Sequence, residues 1–461
     1  MGGEATRAGW SHGGGRRRDG DGDATGAGRA GVSRRVRSAS PLGDGASLGA
    51  GAVLNGLLAY GFLLVGNRAY GAGFAPVSSV WSVWAVTAAA VTVPVHHAVL
   101  RRAVGTGRGT GLGRLLAPAA AIGVVVAVIG YSVRTQLFSV GSVVPPLVCG
   151  ALVPAATLLG WWRGRASAAG RYTQVGTNLA LEGGARLIVA LVLIGAGAPA
   201  VALTVAILAG YLPTVLTLAV GGRAGLDSSP VGSRPGSGGD VAFSAGVAAV
   251  ALAVQVAQAV PVLATSARSD RADVVGLFNL IAIGRIPLLV GGAMLFRLTH
   301  WLAEADLDGR GARVNRILGW SALPVTALGA ALGAVLAPPL LPVLFGDSSQ
   351  TTPALGGLIG AASAAALMAT AGAVLVAVQG RGWPLVGWAG GAVAVGVVAA
   401  LGIPAEVAVR GASGYLVVTA VLLLGTITSA ARPALGPTAG SDRAAPPAGP
   451  GAAGSTRRGR P

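Results

Sequence analysis

Between residues 47 and 431 the chain alternates long apolar runs with short clusters of charge. Runs of about 20 apolar residues are what a helix needs to cross a hydrocarbon layer of ~30 Å. Twelve are read: 47–66, 78–98, 114–133, 137–162, 175–196, 199–220, 241–265, 274–296, 317–345, 353–378, 383–403 and 412–431. Most lack the polar face that a helix on the surface of a soluble protein carries. The pattern therefore predicts an all-α polytopic membrane protein of about 12 transmembrane helices. The run 137–162 holds Pro145, Pro146 and Pro154, and 317–345 holds Pro324, Pro338, Pro339 and Pro342. Proline lacks an N–H and clashes with the preceding turn, so both runs are expected to kink or break.

The flanks read differently. Residues 1–46 are rich in Gly, Arg, Ser and Asp and residues 432–461 in Pro, Gly, Ala and Arg, both without apolar periodicity. Such segments cannot bury enough surface to offset their ordering entropy, so both are expected to be disordered tails. The first apolar run starts too late for a cleavable signal peptide. Between the sixth and seventh runs, 221–240 is a Gly/Ser/Pro-rich linker, with 13 of its 20 residues of those types. It divides the chain into lobes at 47–220 and 241–431, the plan of transporters built from parallel repeats. A modest echo between FAPVSSVWSVWAV (74–86) and ADVVGLFNLIAIGRIP (272–287), at the start of the second and eighth spans, agrees with that division.

Composition supports the membrane reading. Of 461 residues, 53% are hydrophobic and 11% charged, against about 25% charged in soluble proteins. The formal net charge is +18, and the basic residues are all arginine. In a soluble chain that balance would point to nucleic acid; here flanking arginines set orientation, and no nucleic-acid partner is expected. With both termini in the cytoplasm, twelve spans put 27 arginines inside and five outside: Arg68, Arg134, Arg268, Arg271 and Arg410. Trp161 and Trp162, just before Arg163 and Arg165, read as an interfacial anchor at the cytoplasmic face. The lone Cys149 excludes an internal disulfide and reads as a small buried side chain.

Soluble chemistry is missing from the pattern. There is no phosphate loop and no Cys/His cluster, so neither an enzyme nor a cofactor or metal is expected. His96 and His97 read as interfacial, and Glu304, Asp306 and Asp308, interleaved with Arg310, Arg313 and Arg316, as a solvated cytoplasmic helix. Charge at membrane depth is costly and usually faces a bundle interior or an aqueous cavity. Glu182 and Arg186 stand four apart and share one helical face, as an intrahelical pair or as an anion-binding cation beside its orienting carboxylate. Arg285 has no acidic residue within a helical turn; its partner must come from another helix, from water or from a ligand, and Glu182 is a candidate. An unpaired arginine suits a phosphate bidentately. Asn55, Gln255 and Gln258 are further candidates for a cavity wall, against the commoner role of interhelical hydrogen bonding.

The stretch GRYTQVGTNLALEGGARLIVALVLI (170–194), through Gly170, Arg171, Tyr172, Glu182, Gly183 and Arg186, resembles the fifth-span region of one family. That family is the polysaccharide-exporter, O-antigen-type flippase branch of the multidrug/oligosaccharidyl-lipid/polysaccharide (MOP) superfamily. VVGLFNLIAIGRIPLLV (274–290) is similar to its eighth span through Gly276, Leu277, Phe278, Arg285, Ile286 and Pro287. The resemblance implies two six-helix lobes around a cavity in a cytoplasmic membrane, carrying polyprenyl-diphosphate-linked glycans by alternating access alongside glycan-assembly enzymes. It would put Arg186 and Arg285 near a diphosphate or sugar-acid path. A drug or cation antiporter of the same superfamily would need a free intramembrane carboxylate, and Glu182 already has an arginine beside it. A lipid II flippase would have a more basic first-lobe cavity. A glycosyltransferase would need acidic residues in an external loop such as NRAYGAGFAPV (67–77), which has none. A non-transporting scaffold would keep the architecture alone.

Overall fold

A computed structural model describes residues 41–106, 111–221, 239–267, 270–286, 288, 311–346, 351–402 and 406–431. The sequence 1–40, most of the 221–240 linker, the acidic cluster Glu304–Asp308 and the segment from 432 onward lie outside the described residues.

Every regular element among the described residues is helical. In lipid no water satisfies backbone N–H and C=O groups, and a helix satisfies them within its own segment. In order they are α1 (Pro41–Tyr70), a 3-10 turn (Gly71–Phe74), α2 (Ala75–Thr87), a π turn (Ala88–Thr92), α3 (Val93–Thr106), α4 (Leu112–Ser132) and α5 (Arg134–Phe138). Then follow α6 (Val144–Ala168), α7 (Tyr172–Gly195), α8 (Leu203–Ala209), α9 (Leu212–Gly221), α10 (Gly239–Ser266) and α11 (Arg271–Gly284). The chain closes with α12 (Gly311–Phe345), α13 (Pro353–Val378), α14 (Gly382–Gly402) and α15 (Val407–Ala431).

Ten helical runs among the described residues are long and apolar enough to cross a membrane. They take in eleven of the twelve expected spans, because the 55-residue run Ala46–Leu100 contains the first two. The twelfth, 274–296, is described as α11 and continues beyond the described residues. The protein is therefore a multi-pass helical membrane protein.

Two boundaries differ from expectation. The run 137–162 breaks at its start: α5 ends at Phe138, Ser139 takes a left-handed φ of 54°, and α6 begins at Val144. Pro145 and Pro146 fall in the first turn of α6, where a missing N–H costs nothing. The helix then runs to Ala168, six residues past the expected end. By contrast, α12 stays helical through all four of its prolines. Trp161 and Trp162 are packed inside the bundle rather than turned outward. They are 5% and 2% exposed, in a cluster with Val99, Ala166 and Val175, because α6 continues as packed helix beyond them.

Side-chain size sorts the helices. The Ala-rich α13 is mostly buried and packs against α12 and α15. Gly329 and Gly333 of α12 face Gly356 and Gly360 of α13 backbone to backbone, the close approach that small residues permit between membrane helices. Before the linker, α1 packs on α7 and both α3 and α4 pack on α6. After it, α10 packs on α14 and α15. The two sets meet where α10 and α11 lie on α2, with the Phe74 and Phe278 rings 6.4 Å apart. Leu57, Val128, Ile188, Leu323 and Val398 are exposed, as apolar side chains facing lipid would be.

Candidate functional site

A central cavity of about 410 Å³ opens between these two sets. Its wall takes residues from α1, the α2–π–α3 helix, α6, α7, α10 and α11, with Tyr211 from the α8–α9 bend. Two local irregularities shape it. The π turn at Ala88–Thr92 precedes Pro94 and lines the cavity with Ala88, Ala89 and Thr92; such single turns are frequent at functional sites. Gly160 of α6 lies against that turn, and a Cβ there would meet the Thr92 carbonyl oxygen at 2.6 Å. The second irregularity separates α8 from α9 at Gly210 and Tyr211. Pro213 has no N–H to give the Ala209 carbonyl, so the helix cannot run straight through. The bend turns Tyr211 toward the cavity and seats Gly210 on Arg186: a Cβ at Gly210 would be 2.5 Å from Arg186 Nε and 2.8 Å from Cζ.

Five of the six candidate residues, Asn55, Glu182, Gln255, Gln258 and Arg285, line this one cavity. Arg186 lies behind the wall, 0% exposed. Its Nη2 donates to Glu182 Oε1 as the expected i,i+4 pair. Its Nε points at the Ile207 carbonyl at 3.4 Å, and its guanidinium lies 4.3 Å from the Trp84 ring centroid. On the cavity side of that ring, Trp84 Nε1 donates to the Tyr211 hydroxyl at 3.1 Å. Arg186 thus braces Glu182, Trp84 and, through it, Tyr211 from outside the cavity.

Arg163 is the residue that sequence reasoning missed. In the sequence it follows the last apolar residue of its run and counts among the cytoplasmic flanking arginines, yet α6 carries it into the cavity wall. There its Nη2 donates to Glu182 Oε2 at 2.5 Å and to Asn178 Oδ1 at 3.2 Å. Asn178 in turn donates to Thr214 Oγ1 at 2.9 Å. A signal was present: Ala156, Leu159, Gly160 and Arg163 follow the i, i+3, i+4, i+7 spacing of one buried face.

Glu182 is therefore held by two arginines, and the Arg285–Glu182 pairing considered from the sequence is not made. Arg285 has no carboxylate partner among the described residues, and its buried Nε has no hydrogen-bond partner there. Tyrosines stand nearby. The Tyr60 hydroxyl donates to the Ala282 carbonyl one turn before Arg285. The Tyr415 hydroxyl accepts from Gln258 Nε2 at 2.8 Å. The Asn55 Oδ1, packed against Gly183, and the Gln258 Oε1 are buried without partners among the described residues. Three guanidiniums against one carboxylate leave the site cationic, and no group of His, Cys, Asp and Glu among the described residues could hold a metal ion.

No protein-family model matches the chain, and no curated protein sequence does. Solved structures do. A MATE transporter in complex with MaL6 matches over 84% of this chain and 94% of its own, at 14% identity and a TM-score of 0.50. The outward-facing conformation of a multidrug resistance MATE family transporter of the MOP superfamily matches over 85% of this chain and 96% of its own, at 13% identity and a TM-score of 0.50. The class that the fold defines is thus a multi-pass helical membrane protein with a MATE-like fold. At this identity the likeness is one of fold.

Proposed function

We propose that the chain is an alternating-access carrier of the cytoplasmic membrane that translocates an anionic, lipid-linked oligosaccharide or polysaccharide precursor, with both termini cytoplasmic. The observation that carries this reading is the sign of the site: Arg163 and Arg285 in the cavity wall and Arg186 behind it, against Glu182, with Arg285 lacking a carboxylate partner among the described residues. A guanidinium without a carboxylate takes a diphosphate oxygen pair in its fork geometry. Asn55, Gln255 and Gln258 add amide groups suited to sugar hydroxyls, two of them with an unused oxygen. Such a carrier would work beside the enzymes that assemble and consume the glycan.

Cation or drug-cation antiport is the second reading of the fold. It needs a carboxylate that alternately holds the cation, and Glu182 is occupied on both oxygens by guanidiniums. The discriminating experiment reconstitutes the chain in proteoliposomes and follows a lipid-linked oligosaccharide to the far leaflet. Arg285→Ala is expected to abolish translocation while inserting normally. Wild-type rates in correctly inserted Arg285→Ala would remove the anion path.

A further inference from the structure

Four aromatic side chains line the central cavity: Tyr60, Trp81, Trp84 and Tyr211. An indole face carries the negative end of the ring quadrupole and is the best aromatic surface for a cation. Taken alone, such a wall suits an organic cation, the reverse of what Arg163 and Arg285 ask for. The two tryptophans are already engaged, however. Trp81 is 4% exposed and stacks on Phe62, with ring centroids 5.2 Å apart. Trp84 tilts against Trp81 at 4.8 Å and has the Arg186 guanidinium 4.3 Å from its own centroid. The same guanidinium is 5.8 Å from the Trp81 centroid. Trp84 is in the cavity wall, whereas Arg186 is 0% exposed and is not. The cation therefore sits on the side of the indole away from the cavity. The ion pair alone does not account for that placement. Arg186 gives Nη2 to Glu182 and Nε, at 3.4 Å, to the Ile207 carbonyl, but its buried Nη1 has no hydrogen-bond partner among the described residues. An unmet buried donor costs stability, and what the guanidinium has in its place is two indole rings. Tyr211 is set in the same sense. Its oxygen accepts from Trp84 Nε1, which leaves its proton for an acceptor that no described residue supplies.

We propose that Arg186 is a specificity-determining residue acting through Trp84: from behind the indole it makes the aromatic wall refuse organic cations and accept anionic or uncharged rings that bring oxygen acceptors. The inference rests on the anionic-cavity reading above. A guanidinium on one face of a ring draws the π electrons toward itself. A second cation on the other face would stand about 8 Å from the first, within a Debye length at physiological salt. It would meet a like charge where a free indole offers attraction. The Tyr211 proton likewise presents a positive end to the cavity, suited to a ligand oxygen and unsuited to an ammonium or pyridinium. Glu182 does not reverse the sign, since both of its oxygens are taken by guanidiniums.

The test uses the full chain purified in detergent, with N-methylquinolinium and naphthoate as probes, fused aromatic pairs of opposite charge. Equilibrium dialysis against empty micelles gives both affinities, and their ratio is the readout. Wild type is expected to favour naphthoate. Arg186→Gln is expected to move the ratio about tenfold toward quinolinium, and that shift is expected to vanish in Trp84→Leu, Arg186→Gln. A ratio that Arg186→Gln leaves unchanged, or a shift of equal size with and without Trp84, would overturn the proposal. The charge would then act on the whole site and not through the indole. Trp84→Leu alone keeps the proposal testable should Arg186→Gln misfold. It is expected to hold the ratio within about twofold of wild type, because the shielded ring attracts no cation. A larger, selective loss of quinolinium would reveal an ordinary cation-binding indole and overturn the proposal as well. Wild type that prefers quinolinium removes the anionic-cavity reading and this inference together. Wild type that binds neither probe removes the inference alone, while pyrophosphate binding still reports on Arg285.

Discussion

Replacing Glu182 by glutamine tests the arrangement most directly, because shape is conserved and one charge is removed from between two others. Glu182 is 3% exposed and Arg186 is 0% exposed, boxed in by Trp84, Gly210 and the Ile207 carbonyl. At an effective dielectric of about 20, two unit charges ~4 Å apart attract by about 4 kcal/mol. Losing the carboxylate forfeits that attraction and leaves Arg186 as a buried cation beside a second one. Removing one partner of a buried pair costs about 3–5 kcal/mol. Arg163 has a 13% exposed side chain on the cavity wall, so water can solvate it and it adds little to the loss. Arg163→Gln leaves the Glu182–Arg186 pair intact and should cost about 1 kcal/mol. Arg186→Gln leaves Glu182 with Arg163 and should fall between. Reversible SDS unfolding of purified protein, followed by circular dichroism, gives all three values. The reasoning fails if Glu182→Gln lies within about 0.5 kcal/mol of wild type, or if Arg163→Gln is the most destabilised of the three.

Arg285→Ala should behave in the opposite manner: stability equal to or above wild type, since an unpaired buried charge is removed, with pyrophosphate binding weakened about 10–100-fold by loss of a charge-assisted hydrogen bond. Equilibrium dialysis and SDS unfolding on the same preparation check both. Gly210→Ala drives a methyl into the Arg186 guanidinium and should cost about 1–3 kcal/mol by overpacking. That cost should shrink in an Arg186→Gln background, a coupling that a double-mutant cycle reads out. Ser79 and Ser266 join α2 to α10 with hydroxyl oxygens 2.8 Å apart. A Ser79→Cys, Ser266→Cys protein bridged by a short bifunctional thiol reagent should stop translocating and recover when the bridge is cleaved.

Much of this was legible in the sequence because membrane insertion makes hydropathy and backbone satisfaction the same problem. Glu182 and Arg186 could be paired from spacing alone, since an i,i+4 contact needs only helical geometry. Asn55, Gln255, Gln258 and Arg285 were found as polar groups at membrane depth, and all four line the cavity. What stayed hidden depends on where helices end and how they pack. Arg163 reads as loop charge from the sequence because the apolar run stops at Trp162, whereas α6 stays helical to Ala168 and turns off only at Gly170, whose φ is 69°. Trp161 and Trp162 looked interfacial for the same reason. The Arg285–Glu182 pairing drawn from complementary charge failed because Arg163 satisfies Glu182 from the neighbouring helix. Nothing in the one-dimensional pattern marks Gly210 as the floor under Arg186, since that contact exists only once α8 bends before Pro213.

The distribution of bond strengths bears on how the proposed carrier could move. The buried ion network lies wholly within helices preceding the 221–240 segment, on α6 and α7. Hydrogen bonds joining helices before that segment to helices after it are of another kind. Ser79 meets Ser266, Asn279 donates to Asn67 Oδ1 at 3.0 Å, and Tyr60 donates to Ala282. Arg68 and Arg271 donate to the Leu344 and Ser139 carbonyls at exposed positions. Asn67, Arg68, Ser139, Ser266 and Leu344 lie at or near the C-terminal ends of α1, α5, α10 and α12, Ser79 and Arg271 near the starts of α2 and α11, and Asn279 within α11, whereas Arg163 lies in the last two turns of α6 and Glu182 midway along α7, both in the cavity wall. The neutral bonds are each worth about 1 kcal/mol net, and the two guanidinium–carbonyl bonds are exposed, where water competes for the donor. A ligand that favours one state by a few kcal/mol can therefore open that contact line. It could not dismantle the Arg163–Glu182–Arg186 network at that cost. The strong interactions hold a unit rigid, and the weak ones lie where separation is needed.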